Sequence, residues 1–131
     1  MGVAHLLDTH VLLWLLSDPS RIAPQVLDVL ADVHNPLLVS AASGLELSTK
    51  VRIGKLDAPE LVMMLPRRVQ EIGATVLDVS LEHALLAGSL SWAHRDPFDR
   101  ILVAQATTES ATLVTVDATI RQLPVPRVLS W

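Results

Sequence analysis

The chain has 131 residues, half of them hydrophobic, with no cysteine and a formal net charge of -4. That length suits one domain around one continuous core, and residues 1–131 read as a single unit. Disulfides and thiolate metal sites are excluded, and the acidic balance offers no bulk attraction to nucleic acid, so any such binding has to be local.

A mean hydropathy of +0.44 is high. Yet the longest apolar run, Val11 to Leu16, spans fewer than about two helical turns, far short of a bilayer. Asp8 interrupts the first apolar stretch, which lacks the basic lead of a signal peptide. The expectation is a cytoplasmic protein with no membrane attachment, whose apolar surplus serves protein interfaces.

In chain order, Ala4 to Leu7 reads as a strand, followed by a short apolar helix through Val11 to Leu16 that Asp18-Pro19-Ser20 breaks. A second helix starts near Pro24, suited to a first helical position, and runs to about Val33. Asn35-Pro36 turns the chain into a strand over Leu37-Leu38-Val39. Ser43 opens a helix through Glu46 and Lys50, and Gly54 ends it. Asp57-Ala58-Pro59 begins a further helix, disturbed at Pro66 and closed by Gly73.

Thr75 to Leu77 is the next strand. Ser80 caps a helix from Leu81 to about Trp92, and His94-Arg95-Asp96-Pro97 starts another that reaches about Thr108. Leu113 to Val116 is a strand, a short helix carries Ile120 and Arg121, and Arg127-Val128-Leu129 adds an edge strand. This alternation predicts an α/β domain with a mostly parallel central sheet of four to five strands flanked by helices.

Four carboxylates stand out against that frame. Asp8 and Asp117 each close an apolar strand, while Glu46 and Asp99 lie near helix starts, in Ser-Gly-Leu-Glu and Asp-Pro-Phe-Asp. Ligands of open α/β folds bind in the crevice beyond the carboxyl ends of the strands. Each acid also has a local explanation. Ser43 and Glu46 match a capping box, Lys50 offers Glu46 an ion pair four residues on, and Asp96 can cap the helix that begins at Pro97. Asp99 would then face the positive end of that helix, and Asp8 and Asp117 can cap the helices after their strands.

Capping, however, requires only a short polar side chain, and here four positions on one rim all carry full charge. Carboxylates gathered there repel one another unless a cation neutralises them. Oxygen donors with no cysteine and no close histidine pair suit Mg²⁺ or Mn²⁺ and fit Zn²⁺ poorly. Such a site can activate a water and stabilise charge on a phosphoryl oxygen.

The same residues carry a resemblance. Leu-Leu-Asp-Thr-His-Val-Leu-Leu-Trp at the start, Ser-Gly-Leu-Glu-Leu-Ser-Thr-Lys with Gly54-Lys55-Leu56, His-Arg-Asp-Pro-Phe-Asp-Arg-Ile-Leu-Val-Ala-Gln-Ala, and Leu-Val-Thr-Val-Asp resemble the PIN domain. More closely, they look like its VapC-type toxins, the ribonuclease half of bacterial and archaeal toxin–antitoxin pairs. The resemblance runs from about residue 4 to the C-terminus. It implies a PIN domain over residues 1–131 and a metal-dependent endoribonuclease with Asp8, Glu46, Asp99 and Asp117 as catalytic, metal-binding residues. Mg²⁺ would be the cofactor, with Mn²⁺ as a substitute. RNA would be the substrate, a cognate antitoxin the protein partner, and a homodimer the assembly; operator DNA would be met only through the antitoxin. One departure is Gly44-Leu45 before Glu46, where close relatives often carry a bulkier aromatic residue.

A catalytically inactive PIN-like protein-interaction module is the alternative, favoured by the acidic charge and opposed by the presence of all four acids. A receiver or phosphatase-like domain would want a second acid beside Asp8, where Thr9-His10 stands. Asp96 is open between ligand and helix cap. Thr9 and Thr115 are open between packing and orienting a ligand, with packing favoured. His5 reads as a core histidine; His10 and His94 are open between approaching the site, as a general base would, and lying on a helix face and in a turn, with the latter favoured. Lys50, Arg52, Lys55, Arg95 and Arg100 are either phosphate contacts or solvated charges, and Trp14 and Trp92 are core or interface anchors. The segments Leu12 to Leu16 and Leu61 to Leu65 are the candidate interface helices.

Overall fold

Residues 2–131 are described in a computed structural model of the chain. Five strands form one sheet in the order β3-β2-β1-β4-β5: β1 (His5–Leu7), β2 (Leu37–Ser40), β3 (Thr75–Leu77), β4 (Thr112–Val114) and β5 (Val128–Leu129). Every neighbouring pair is parallel, so each connection crosses over through helices. The helices are α1 (Thr9–Ser17), α2 (Pro24–Ala31), α3 (Ala41–Arg52), α4 (Pro59–Met63), α5 (Leu65–Glu71), α6 (Leu81–Ser89), α7 (Pro97–Thr108) and α8 (Ala118–Arg121).

The central strands are mostly apolar because both faces of the sheet are covered. Successive side chains alternate between faces, so Leu7 and its β4 partner Val114 enter one core, and Leu6 and Leu113 the other. The first core gathers Val11, Leu12 and Leu16 of α1 with Val26, Leu47 and Val69. The second is built on Leu102, Val103 and Ala106 of α7 with Ile120 of α8. Leu12 and Leu16 are therefore core residues and unavailable as interface residues, and Leu61 packs against the same core. His5 is buried with its Nδ1 2.7 Å from the Val3 carbonyl oxygen, a satisfied core histidine.

Three helix boundaries differ from the sequence expectation. β2 runs straight into α3, so Ser40 is at once the last strand residue and the cap, accepting from the Ala42 amide at 3.0 Å. Ser43 sits inside that helix, fully buried, with its hydroxyl 2.8 Å from that of Thr9, and the capping box with Glu46 does not form. The helix expected from Pro59 to Gly73 is two. Pro66 has no amide to donate, so α4 closes with Met64 N–H on Glu60 and α5 restarts with Pro66 in its first turn. α6 stops at Ser89, leaving Trp92 in the loop before α7. Gly54 and Gly73 close α3 and α5 as expected, both with positive φ. Among the described residues no helix is long and apolar enough to cross a membrane.

Candidate metal centre

The carboxyl ends of β1 and β4 deliver Asp8 and the Thr115–Asp117 segment to the same rim of the sheet. α3, leaving β2, brings Glu46 one and a half turns along, and the first turn of α7 brings Asp99.

Asp8 is buried, and its Oδ2 accepts a 2.5 Å bond from the Thr115 hydroxyl. The same hydroxyl accepts from the Asp117 amide at 3.0 Å, so one threonine ties the two acid-bearing strand ends together. Thr115 thus orients a site carboxylate, beyond the packing role favoured from sequence. Burial holds the Asp8 carboxyl above its usual range, opposed by the Thr115 bond and His10 and reinforced by the charge of Glu46.

Asp99 accepts from His94 Nε2 at 2.7 Å through Oδ2. Its carboxyl is pushed up to about 6, by burial first and then by Asp96, Asp8 and Asp117, with only the His94 bond opposing. Asp117 caps α8: Oδ1 accepts from the Thr119 amide at 2.8 Å and from its hydroxyl at 2.6 Å. Burial raises its carboxyl, but those bonds outweigh burial and leave it below the usual range. Asp96 caps α7 through Oδ1, accepting from the Phe98 amide at 2.9 Å and the Asp99 amide at 3.4 Å.

Glu46 is buried and pairs through Oε2 with Lys50 Nζ at 2.8 Å, the ion pair expected from their spacing. Its Oε1 is buried with no partner. An unpaired buried oxygen of that kind costs stability unless something fills it.

His94, Asp99 and Asp117 each offer one donor atom, all within 4.8 Å of one another, a cluster that could hold a metal ion. Two of the four sequence-chosen acids are in it. Asp8 and Glu46 are not, but they are coupled to it by charge, Glu46 acting on Asp8 and Asp8 on Asp99. The donor set fits a divalent cation: carboxylate oxygens predominate, and one of the carboxyls is destabilised as an anion by burial and then by its acidic neighbours. The donor left out of the ligand set expected from sequence is His94, favoured there as a turn residue. Its available signal was the Asp96-Pro97 helix start, which puts an imidazole two residues before the cap within reach of the first turn.

Cationic side chains border the centre. A cavity of about 430 Å³ is lined by Glu46, Lys50, Lys55, Arg95, Asp96 and Phe98 among others. A second, of about 260 Å³, shares Lys50 and Lys55 and adds Thr9, His10 and Leu13. Arg100 is directed elsewhere, its guanidinium bonded to backbone carbonyls. Trp14 lies under the Arg21 guanidinium at 4.7 Å and against Trp131, an anchor as expected.

No curated protein sequence matches the chain. Solved structures of the same shape include VapBC2 from Rickettsia felis bound to a DNA fragment from its promoter, at 19% identity, 98% coverage of both chains and a TM-score of 0.73. DNA-bound VapBC from Salmonella typhimurium matches at 17% identity, again 98% of both chains, with a TM-score of 0.74. FitAcB from Neisseria gonorrhoeae matches at 23% identity over 88% of this chain and 89% of that one, with a TM-score of 0.57. Identities this low speak for the fold alone. The family profile reaches further: residues 5–126 match the PIN domain, the span that carries every strand but β5 and all the acids above, and the chain belongs to the PIN-domain family.

Proposed function

We propose that this PIN domain is a metal-dependent endoribonuclease, the toxin of a toxin–antitoxin pair. The observation that carries the proposal is the convergence of Asp99, Asp117 and His94 within 4.8 Å, with Asp8 and Glu46 linked to them by charge. Asp8, Asp99 and Asp117 would hold Mg²⁺, with Mn²⁺ as a substitute, and Glu46 would complete the acidic pocket. When bound, the ion supplies an acidified water and positive charge for a phosphoryl oxygen.

The chain's own residues do the rest. Thr115 fixes the Asp8 carboxylate through Oδ2, and His94 fixes Asp99 in the same way. Lys50 anchors Glu46 by Oε2 and leaves Oε1 as the acceptor for a proton from water. Lys55 and Arg95 line the neighbouring cavity and would hold RNA phosphates, a local attraction that the net charge does not provide. The likeness to VapBC and FitAB complexes supports a cognate antitoxin as partner, with operator DNA reached through it. A homodimer and a cytoplasmic location belong to the same proposal. An inactive interaction module would have no use for the raised Asp99 carboxyl or the orphaned Glu46 oxygen, both of which oppose folding.

The test is RNA cleavage with Mg²⁺ or Mn²⁺ by the wild type and Asp8→Ala. Loss of a central acid should cost at least about 100-fold in rate, beyond the 10- to 100-fold typical of supporting residues. A chelator should abolish cutting by the wild type. Equal cutting by both proteins would mean a contaminating nuclease and end the enzyme proposal.

A further inference from the structure

We propose that Arg100 is a positioning residue of the acidic centre: it latches the loop between α6 and α7 so that His94 stays on Asp99. The inference rests on the metal-centre reading above.

The guanidinium makes five bonds, all to backbone carbonyls. Nε donates to Ala87 at 2.8 Å, Nη1 to Trp92 at 2.7 Å and His94 at 2.9 Å, and Nη2 to Leu90 at 2.8 Å and Gly88 at 3.5 Å. No acid within ion-pair distance competes for it among the described residues. It therefore satisfies the open carbonyls at the end of α6 and binds the loop, including the residue that carries the imidazole. Leu90 and Trp92 pack against the second core, but among the described residues no apolar anchor of that kind holds the stretch from Ala93 to Asp96. One backbone bond joins Trp92 to Leu90 at 2.9 Å, and the Trp92 ring lies 4.8 Å from the His94 ring, centroid to centroid.

Asp99 and Arg100 are consecutive on α7, and neighbours on a helix point about 100° apart. One turn of α7 thus supplies the acid and, on another face, the fork that fixes the acid's hydrogen-bond donor. Lysine cannot replace it: its donors radiate from one atom, whereas these carbonyls span two ends of a planar fork.

The experiment measures Mn²⁺ binding by calorimetry for the wild type, Arg100→Lys, His94→Ala and the double variant. Backbone ¹⁵N order parameters are recorded on the metal-free wild type and Arg100→Lys. Arg100→Lys should weaken Mn²⁺ binding roughly 10- to 100-fold. The double variant should bind within about twofold of His94→Ala alone, because coupled sites are not additive. Order parameters of residues 91–95 should fall below about 0.6 while α7 stays near 0.85.

Unchanged loop order parameters, wild-type Mn²⁺ affinity in Arg100→Lys, or penalties that multiply in the double variant would each overturn the latch. Failure of the wild type to bind Mn²⁺ would instead remove the metal centre, and the latch's role in it, while the order parameters still decide whether Arg100 holds the loop. Should Arg100→Lys not fold, Arg100→Gln, which keeps two amide donors, is measured in its place.

Discussion

Asp99 carries a carboxyl that titrates near 6 because burial and three acidic neighbours disfavour its charge, with His94 alone opposing them. The folded state therefore holds this proton more tightly than the unfolded chain does. Asp99 favours folding at low pH, and that benefit is lost as pH climbs from about 4 through 6, where the ionised form becomes a penalty. A cation cancels the penalty but competes with the proton, so Mg²⁺ or Mn²⁺ affinity should fall as pH drops below about 6. In a metal-free melt at pH 8, Asp99→Asn should raise Tm; each kcal/mol relieved is worth roughly 3–6 °C at this size. The gain should vanish at pH 4, and the metal-induced rise in Tm should vanish at every pH. A variant that melts with the wild type at pH 8 would refute the electrostatic account.

The individual acids differ in how far the sequence reveals them. Asp8 and Asp117 are visible because each ends an apolar run, and a strand's end in an open α/β sheet is where ligands sit. Thr115 as the support for Asp8 is not visible, because its partner is 107 residues away and becomes a neighbour only when β4 pairs with β1. His94 is hidden for a different reason: its loop is shaped by bonds from the side chain of Arg100, six and eight residues further on, and Arg100 reads from sequence as a candidate phosphate contact.

Among the elements, α7 combines structure and site most closely. Pro97 sets its start, Asp96 caps it, and Asp99 in its first turn reaches the centre. If Asp96 acts as a cap, Asp96→Ser should melt close to the wild type while Asp96→Ala loses about 1 kcal/mol. Both should leave Mn²⁺ affinity within a few-fold. A large loss of metal binding in Asp96→Ser would make Asp96 a ligand after all. α3 shows where local patterns mislead. Ser43-Gly44-Leu45-Glu46 has the spacing of a capping box, but the strand before it ends at Ser40, whose own side chain already caps the helix. Which of two serines caps depends on where β2 leaves the sheet, and that is decided by its pairing with β1 and β3.

At the scale of the molecule, the two cores absorb most of the apolar surplus, including α1, expected in part as an interface. What remains outside includes Met63, 78% exposed at the end of α4, and Met64, 42% exposed between α4 and α5. Replacing both with glutamate should leave Tm within about 2 °C, as surface changes do. If these methionines form the proposed homodimer, light scattering should show the mass halved; an unchanged mass would take them out of the interface.

The strand order has a last consequence, in time rather than space. β1 is made first but receives its β4 neighbour only after more than a hundred further residues, so Asp8 has neither Thr115 nor Asp117 beside it until then. Contacts of such long separation form late, after the cost of closing the intervening loop. A nascent polypeptide still threaded in the ribosome short of Thr115 has no assembled acidic pocket. In this fold the pocket, and the activity proposed for it, wait on the end of synthesis.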